Sequence, residues 1–195
     1  MIKTYFNTKA ATWDAEVAEK DATKLSKMAT RLGINKGDRV LDVGTGTGVF
    51  IPYLQKLIGE SGLLIAIDIA ENMLHMSLMK HFKDTVIHLQ GDIMCTPLAS
   101  ALFDSVVCYS SFPHFQDKLK ALSEIARVLR RGGKLYVCHT SSRTAINEIH
   151  QHIPGIERDI IPDTEDMRKI LSLAGFTDID IDDGDDSYLA SASKP

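Results

Sequence analysis

The chain has 195 residues, of which 44% are hydrophobic and 25% charged, a composition that is typical of one globular domain and excludes a disordered chain. Its formal net charge is −4, and between residues 157 and 186 eleven acidic residues stand against three basic ones. This balance argues against a protein that binds nucleic-acid phosphates, and no apolar run approaches the roughly 20 residues that span a bilayer. The N-terminus lacks the apolar stretch of a secretory signal and three cysteines suggest no disulfide framework, so we expect a cytoplasmic protein.

Short apolar runs alternate with longer amphipathic ones along most of the chain. A helix is predicted first, over residues 14–32. Five strands follow, at 39–43, 63–68, 85–89, 104–109 and 134–139. The helices between them are predicted over roughly 48–58, 71–82 and 117–130. Because most of these strands lack a polar face, we expect helices to cover both sides of a parallel sheet.

The C-terminal part continues with helices and ends in two strands. Helices are predicted over 143–152 and 163–174, and strands near 176–181 and 187–192. The turn DDGDD between these strands favours an antiparallel hairpin. We therefore predict one α/β domain over residues 1–195, a Rossmann-like three-layer sandwich with a mainly parallel seven-stranded sheet and a C-terminal antiparallel hairpin.

The most informative segment is residues 40–50, VLDVGTGTGVF. Gly44, Gly46 and Gly48 connect a buried strand to a helix, and a loop without side chains lets a ligand lie against bare backbone at the helix N-terminus. The dinucleotide-binding fingerprint needs glycine at its first, third and sixth positions, but the sixth position here is Val49. The spacing therefore disfavours a nicotinamide-dependent or flavin-dependent enzyme.

This loop, with Asp42 ahead of it, resembles the first motif of the class I S-adenosylmethionine-dependent methyltransferases. Four later segments match that family's motifs in the right order: the strand end at Asp68, Gly91-Asp92-Ile93, residues 103–110 and residues 129–135. The N-terminal FNTKAATWD is similar to the opening of the small-molecule branch, which includes quinone-biosynthesis methyltransferases. The resemblance covers residues 5 to about 140.

The resemblance implies a cofactor, S-adenosylmethionine, with S-adenosylhomocysteine as the product. In the family, the residue at Asp68 takes both ribose hydroxyls, the residue at Asp92 accepts from the adenine amino group, and the next apolar residue packs on the ring. The implied cofactor-binding residues are Asp42, Gly44, Thr45, Gly46, Gly48, Asp68, Ile69, Met73, Asp92, Ile93 and Ser110. The alternative is that the aspartates only form turns at strand ends and that Met73 only packs against the sheet.

The chemistry of the donor agrees with this interpretation. A sulfonium cation carries no phosphate and needs no basic residue, and none lies between Asp42 and Gln55. Carboxylates suit a nucleoside diol and an exocyclic amine, because both of these groups donate hydrogen bonds.

Two histidines are the catalytic candidates. His114 follows the fourth predicted strand and His139 ends the fifth, so both could face one pocket and accept a proton near neutral pH. The alternative is that either ring only hydrogen-bonds to backbone near a strand end. No metal is predicted, although a site combining these two residues with His150 stays open.

Residues 1–36, as an N-terminal cap, and an insertion over 141–161 are predicted to cover the acceptor. Three aromatic residues form walls of that pocket or only anchor the first helix: Tyr5, Phe6 and Trp13. Arg143 either holds an acidic acceptor or is solvated.

The exit of the fourth strand, Ser110 to Pro113, reads SSFP. Methyltransferases that act on adenine bases or glutamine amides usually carry Asn/Asp-Pro-Pro-aromatic there, so the resemblance argues against a nucleic-acid acceptor. The predicted function is methyl transfer to a small-molecule acceptor by a monomer or homodimer without a membrane span. The alternative is a regulatory or accessory protein that binds the cofactor without turnover.

Overall fold

The computed structural model describes residues 2–16 and 21–195. Within these ranges the helices are α1 (Ile2–Glu16), α2 (Ala22–Arg31), α3 (Ile51–Ile58), α4 (Glu71–Leu78), α5 (Lys118–Val128), α6 (Arg143–Gln151) and α7 (Thr164–Leu173). The strands are β1 (Arg39–Val43), β2 (Leu63–Asp68), β3 (Val86–Gln90), β4 (Phe103–Tyr109), β5 (Leu129–His139), β6 (Thr177–Asp183) and β7 (Tyr188–Ser193). None of the described helices is long and apolar enough to cross a bilayer.

The strands form one sheet in the order β3-β2-β1-β4-β5-β7-β6. β1 pairs in parallel with both β2 and β4, whereas β7 pairs antiparallel with β5 and β6. The strand order reverses between β1 and β4, so a crevice opens at their carboxyl ends. This topology confirms the predicted α/β fold, including the C-terminal hairpin.

Side chains of the central strands alternate between two apolar layers. Leu41 and Ile65 belong to the buried cluster on one face, while Val40 and Leu64 belong to the cluster on the other. Because neighbouring residues of a strand point to opposite faces, burial of both sets requires helices on both sides of the sheet. The prediction that the strands are covered on both faces is confirmed.

The predicted helix over residues 14–32 is wrong. α1 ends at Glu16 and α2 begins at Ala22, after an N-cap aspartate, Asp21, whose carboxylate accepts from the main-chain N–H of Thr23 and Lys24. A capping carboxylate satisfies amides that have no partner within the helix, so it favours a new helix at this point. The part of the predicted helix over residues 17–20 lies outside the described residues.

β5 is longer than predicted, because its first half is paired by distant segments. Leu129 pairs with Phe103 of β4. The N–H of Gly132 donates to the carbonyl of Lys194 over 2.8 Å, and the N–H of Lys194 donates to the carbonyl of Gly133 over 2.9 Å. The two glycines therefore extend the strand instead of forming the turn before it.

Candidate functional site

A cavity of about 140 Å³ lies at the carboxyl ends of β1, β2 and β4. Nine of the eleven residues predicted to bind a cofactor line it: Gly44, Thr45, Gly46, Asp68, Ile69, Met73, Asp92, Ile93 and Ser110. No lysine or arginine of the described chain lines it. The cavity thus combines bare backbone, carboxylates and apolar side chains.

The glycine loop is held open by main-chain bonds. Gly44 has φ +69° and Gly46 has φ +56°, a region that favours glycine. The N–H groups of Gly44 and Thr45 both donate to the carbonyl of Ile67 in β2, over 2.8 and 3.1 Å. A Cβ on Gly46 would have no other atom within 4 Å, so space is left there for a ligand.

Asp68 ends β2 against this loop and is 8% exposed. One carboxylate oxygen accepts from the N–H of Gly46 and the other from the N–H of Ala70, each over 2.8 Å. Burial raises the pKa of the carboxyl, and these backbone bonds oppose that rise. An ionised carboxylate has about four lone-pair positions, so it can also accept from a ligand in the cavity.

Asp42 and Gly48 do not line the cavity. The Asp42 carboxylate lies behind the loop, where it accepts from the Thr45 hydroxyl over 2.6 Å. A Cβ on Gly48 would lie 2.4 Å from the Ser77 hydroxyl oxygen and 2.9 Å from the Phe82 ring. Asp42 therefore orients the loop and Gly48 allows it to pack closely against its neighbours, while contact of these two residues with a ligand stays a prediction.

Buried Asp42 makes the stability of the fold depend on pH. Burial raises the pKa of its carboxyl to about 7 from an ordinary 3.8. The folded chain therefore binds more protons than the unfolded chain between these pH values, and the free energy of unfolding falls as pH rises through that interval.

Replacing Asp42 by asparagine removes this titration while an amide oxygen can still accept from Thr45. In urea unfolding at about pH 5 and about pH 8, we expect the loss of stability with rising pH to be about 2–3 kcal/mol smaller in Asp42→Asn than in the wild type. The exposed helix-capping Asp163, changed to asparagine, serves as the control. An Asp42→Asn variant with the pH dependence of the wild type would contradict the assignment.

Residues that follow β3 and β4 also line the cavity. The Asp92 carboxylate accepts from the N–H of Met94 over 2.8 Å, and the N–H of Gly91 donates to the carbonyl of Asp68 over 3.0 Å. Ser110, at the end of β4, has φ +51°, which a residue other than glycine rarely adopts. Such backbone strain is concentrated at functional sites.

Helix α1 covers one side of the cavity through Ile2, Phe6, Trp13 and Asp14. The Thr47 hydroxyl donates to the Asp14 carboxylate over 2.6 Å, which ties the helix to the glycine loop. Of the three aromatic residues predicted from the sequence, Phe6 and Trp13 line the cavity and Tyr5 does not, and the bond between Thr47 and Asp14 was not predicted.

Further contacts fix α1 in place. The Asp14 carboxylate also lies 2.7 Å from the Lys80 ammonium. The side chain of Asn7 accepts from the N–H of Asn72, and the Asn72 side chain donates to the Asn7 carbonyl. Each bond joins residues far apart in the chain, so no local pattern signals it.

His114 lines the cavity and pairs with an aspartate that sequence reasoning missed. Its Nδ1 lies 2.8 Å from a carboxylate oxygen of Asp159, and the two side chains are 12% and 13% exposed. Burial lowers the pKa of the imidazole, and the Asp159 carboxylate opposes that change. Asp159 is 45 residues away in sequence, and nothing local marks it.

His139 does not line the cavity, and its role as a catalytic residue stays a prediction. It is 1% exposed, neither ring nitrogen has a hydrogen-bond partner within the described chain, and burial lowers its pKa to about 3. The physical reason is its pairing with Tyr188 of β7, the antiparallel strand that covers this edge of β5.

The two other polar residues considered for the site, His150 and Arg143, contact groups of the protein outside the cavity. His150 Nδ1 lies 2.5 Å from the main-chain carbonyl of Asp159, and the Arg143 Nε lies 2.6 Å from the Asp183 carboxylate. Among the described residues, no group of three or more His, Cys, Asp or Glu side chains could hold a metal ion. Arg143 is thus part of an ion pair and does not line the cavity.

The strand order, the glycine loop at its reversal and the cavity above it define a Rossmann-like α/β protein with a crevice at the carboxyl ends of its strands. Residues 41–137 match the family described as a methyltransferase domain. The chain is 26% identical to an S-adenosylmethionine-dependent methyltransferase of Aquifex aeolicus, with a TM-score of 0.73 over 89% of this chain and 93% of that one. Residues 41–137 thus form a methyltransferase domain, and the chain is similar to S-adenosylmethionine-dependent methyltransferases.

Two further proteins are similar to this chain. Demethylmenaquinone methyltransferase of Lactococcus lactis is 34% identical over 122 residues, which are 61% of this chain and 48% of that protein. The chain thus spans about half the length of the curated relatives it matches. A Haloferax volcanii methyltransferase, solved in complex with the Trm112 methyltransferase activator, shares the fold, with 22% identity and a TM-score of 0.79 over 97% of both chains.

Proposed function

We propose that this chain transfers a methyl group from S-adenosylmethionine to a small-molecule acceptor. The observation that carries the proposal is the chemistry of the cavity lining, in which bare main chain and three carboxylates, those of Asp14, Asp68 and Asp92, meet without any lysine or arginine of the described chain. Such a lining suits a sulfonium nucleoside, which is cationic and has hydroxyl and amine donors, and it does not suit the phosphates of a dinucleotide.

Different lining residues bind different parts of the donor. The main chain around Gly46 leaves open space for the amino-acid part of the donor. Asp68 accepts from the ribose hydroxyls with its remaining lone pairs, and Asp92 accepts from the adenine amine. Apolar side chains enclose the base: Ile69, Met73 and Ile93. Bound there, the donor supplies an electrophilic methyl group, and the protein aligns the acceptor and excludes water.

We further propose that the acceptor lies against α1 and residues 141–161, within one domain over residues 1–195. The aromatic side chains of Phe6, Trp13 and Phe115 all line the cavity, so its walls favour an apolar acceptor. The acidic balance disfavours nucleic acid as the acceptor. We also propose that the enzyme is cytoplasmic and is a monomer or a homodimer. Light scattering after size exclusion distinguishes the two by the molar mass of the protein in solution.

Calorimetric titration with S-adenosylhomocysteine and, separately, with NADH tests the donor site. We expect S-adenosylhomocysteine to bind and NADH not to bind. Tight binding of NADH without binding of the nucleoside would overturn the proposal and favour an oxidoreductase.

Turnover separates an enzyme from an accessory protein with the same site. We expect S-adenosylhomocysteine to be released when the chain is incubated with S-adenosylmethionine and either a short-chain demethylmenaquinol or a pool of low-molecular-weight metabolites. The first acceptor follows from the name of the Lactococcus lactis relative. Cofactor binding without release on either acceptor source would favour the accessory role.

A further inference from the structure

A histidine–aspartate pair lies at the cavity wall that follows β4. The His114 ring lines the cavity, and its Nδ1 is 2.8 Å from the Asp159 carboxylate. A carboxylate only accepts hydrogen bonds, so Nδ1 carries the hydrogen in the neutral ring. The lone pair then resides on Nε2, the nitrogen that remains for a ligand.

The pair is held rigidly from both sides. The Asp159 main chain is anchored by its N–H, which donates to Ile156 over 2.9 Å, and by its carbonyl, which lies 2.5 Å from His150 Nδ1. The turn that carries His114 is held by the Lys118 ammonium, which donates to the carbonyls at Pro113 and Phe115. A side chain fixed in this way loses little entropy when it acts on a ligand.

Aromatic rings set the orientation of the imidazole. The Phe6 ring meets it edge to face at a centroid distance of 4.9 Å, and the His150 ring lies at 4.9 Å on a tilted plane. Phe6 belongs to α1, which also lines the cavity. The His114 ring therefore lies between helix α1 and the segment that contains Asp159.

Burial and the neighbouring charges shift the pKa of His114 in opposite directions. Burial lowers the pKa of the ring, and the neighbouring His150 and Lys118 lower it further, whereas the Asp159 carboxylate raises it. His139, behind the pair, stays neutral because burial lowers its own pKa to about 3. An imidazolium formed during a reaction would be compensated by Asp159 alone among these groups.

We propose that Asp159 is a positioning residue that fixes the Nδ1–H tautomer of His114, so that Nε2 acts as the general base toward the acceptor; this rests on the proposed methyl transfer. In the step, the acceptor's X–H bond breaks and its proton moves to Nε2. A bond forms between X and the methyl carbon as the carbon–sulfur bond breaks, which leaves neutral S-adenosylhomocysteine. The imidazolium pairs with Asp159 and later loses its proton to water. The geometry thus points to an acceptor that loses a proton on attack, such as a hydroxyl or an acidic carbon.

The tautomer can be measured in the free protein, without any acceptor. Two-bond ¹H–¹⁵N correlation spectra distinguish Nδ1–H from Nε2–H in each histidine. We expect Nδ1–H for His114 in the wild type and in Asp163→Asn, which removes an exposed carboxylate from the same segment. In Asp159→Ala, whose side chain cannot accept a hydrogen bond, we expect the Nδ1–H signature to be lost and the pKa of His114 to fall. An Nε2–H ring in the wild type, or an unchanged Nδ1–H ring in Asp159→Ala, would overturn the proposal.

Kinetics on the acceptor identified by turnover test the catalytic consequence. Asp159→Asn is expected to lower kcat by about 100-fold, a typical loss for an impaired general base, and to leave the dissociation constant of S-adenosylhomocysteine unchanged. The acidic limb of the rate profile should move to lower pH, because the carboxylate that raised the pKa of the base is gone.

A double variant separates positioning from mere structural support. In a His114→Gln background, Asp159→Asn should cause no further loss of kcat, because the base on which it acts is already absent. Additive losses, or a parallel loss of nucleoside affinity, would show that Asp159 only supports the fold. Failure of the wild type to bind S-adenosylhomocysteine would instead refute the proposed function, while the tautomer measurement would still decide the role of Asp159.

Discussion

Replacing Gly44 by alanine should destabilise the fold by about 3 kcal/mol and weaken S-adenosylhomocysteine binding by at least about tenfold. At φ +69° an L-residue is strained by about 1–2 kcal/mol. The new Cβ would also lie 2.4 Å from the Ser111 Cβ, a distance that forces movement. Ser111 resists because its hydroxyl donates to the Val43 carbonyl over 2.5 Å. The glycine loop and the exit of β4, the two walls of the cavity, would therefore be pushed apart.

Urea unfolding and calorimetry with S-adenosylhomocysteine measure the two effects. Gly132→Ala is the matched control, because Gly132 has φ +70° but no atom within 4 Å of its Cβ position, and it lies at the other end of the sheet. The control should lose only about 1–2 kcal/mol and keep its affinity for the nucleoside. Adding Ser111→Gly to Gly44→Ala should restore part of the loss, since it removes the clashing atom. Equal losses at Gly44 and Gly132 would show that strain, and not the close approach, governs this position.

Asp68→Asn is expected to raise the dissociation constant of S-adenosylhomocysteine by about 10- to 100-fold, which corresponds to roughly 1–3 kcal/mol. The two carboxylate oxygens accept from the amides of Gly46 and Ala70. An asparagine has a single oxygen, so its NH₂ group would face one of these N–H donors, and the loop would lose part of its support. The ribose hydroxyls would also lose an anionic acceptor.

The control for this change lies at the opposite end of β1. The Asp38 carboxylate accepts from the N–H of Asn35 over 2.8 Å in the turn before that strand. Asp38→Asn has the same change of charge and should bind the nucleoside as the wild type does. Circular dichroism at the temperature of the titration confirms that each variant is folded. A folded Asp68→Asn or Asp68→Ala with an unchanged dissociation constant would refute the role of Asp68.

The alternation of apolar runs and helices was sufficient to predict the sheet because each signal is local. The strand over residues 39–43 and the loop from Gly44 to Gly48 depend on neighbouring residues, and both lie as predicted. Asp68 and Asp92 were located in the same way, by their positions after strands whose carboxyl ends meet at one edge. Both residues line the cavity, so their positions at the ends of neighbouring strands were readable from the chain.

The burial of His139 at the end of β5 could not be predicted from the sequence. His139 ends β5 like a residue that could reach the cavity, but β7 inserts beside β5 and places Tyr188 opposite it. The placement of β7 between β5 and β6 is a property of the whole sheet. Similarly, the sequence did not show that the Asp42 carboxylate accepts from the Thr45 hydroxyl or that Gly48 packs against Ser77 and Phe82.

The sequence by itself determined the fold class, the glycine loop and the strand-end carboxylates, because their signals are short-range periodicity and turn chemistry. Only the tertiary structure decided that Asp159 meets His114 and that Asp14 of α1 is tied to Thr47. These contacts join residues 45 and 33 positions apart. Such pairs form because the packed helices and the sheet bring them together, and no local preference of either partner encodes the other.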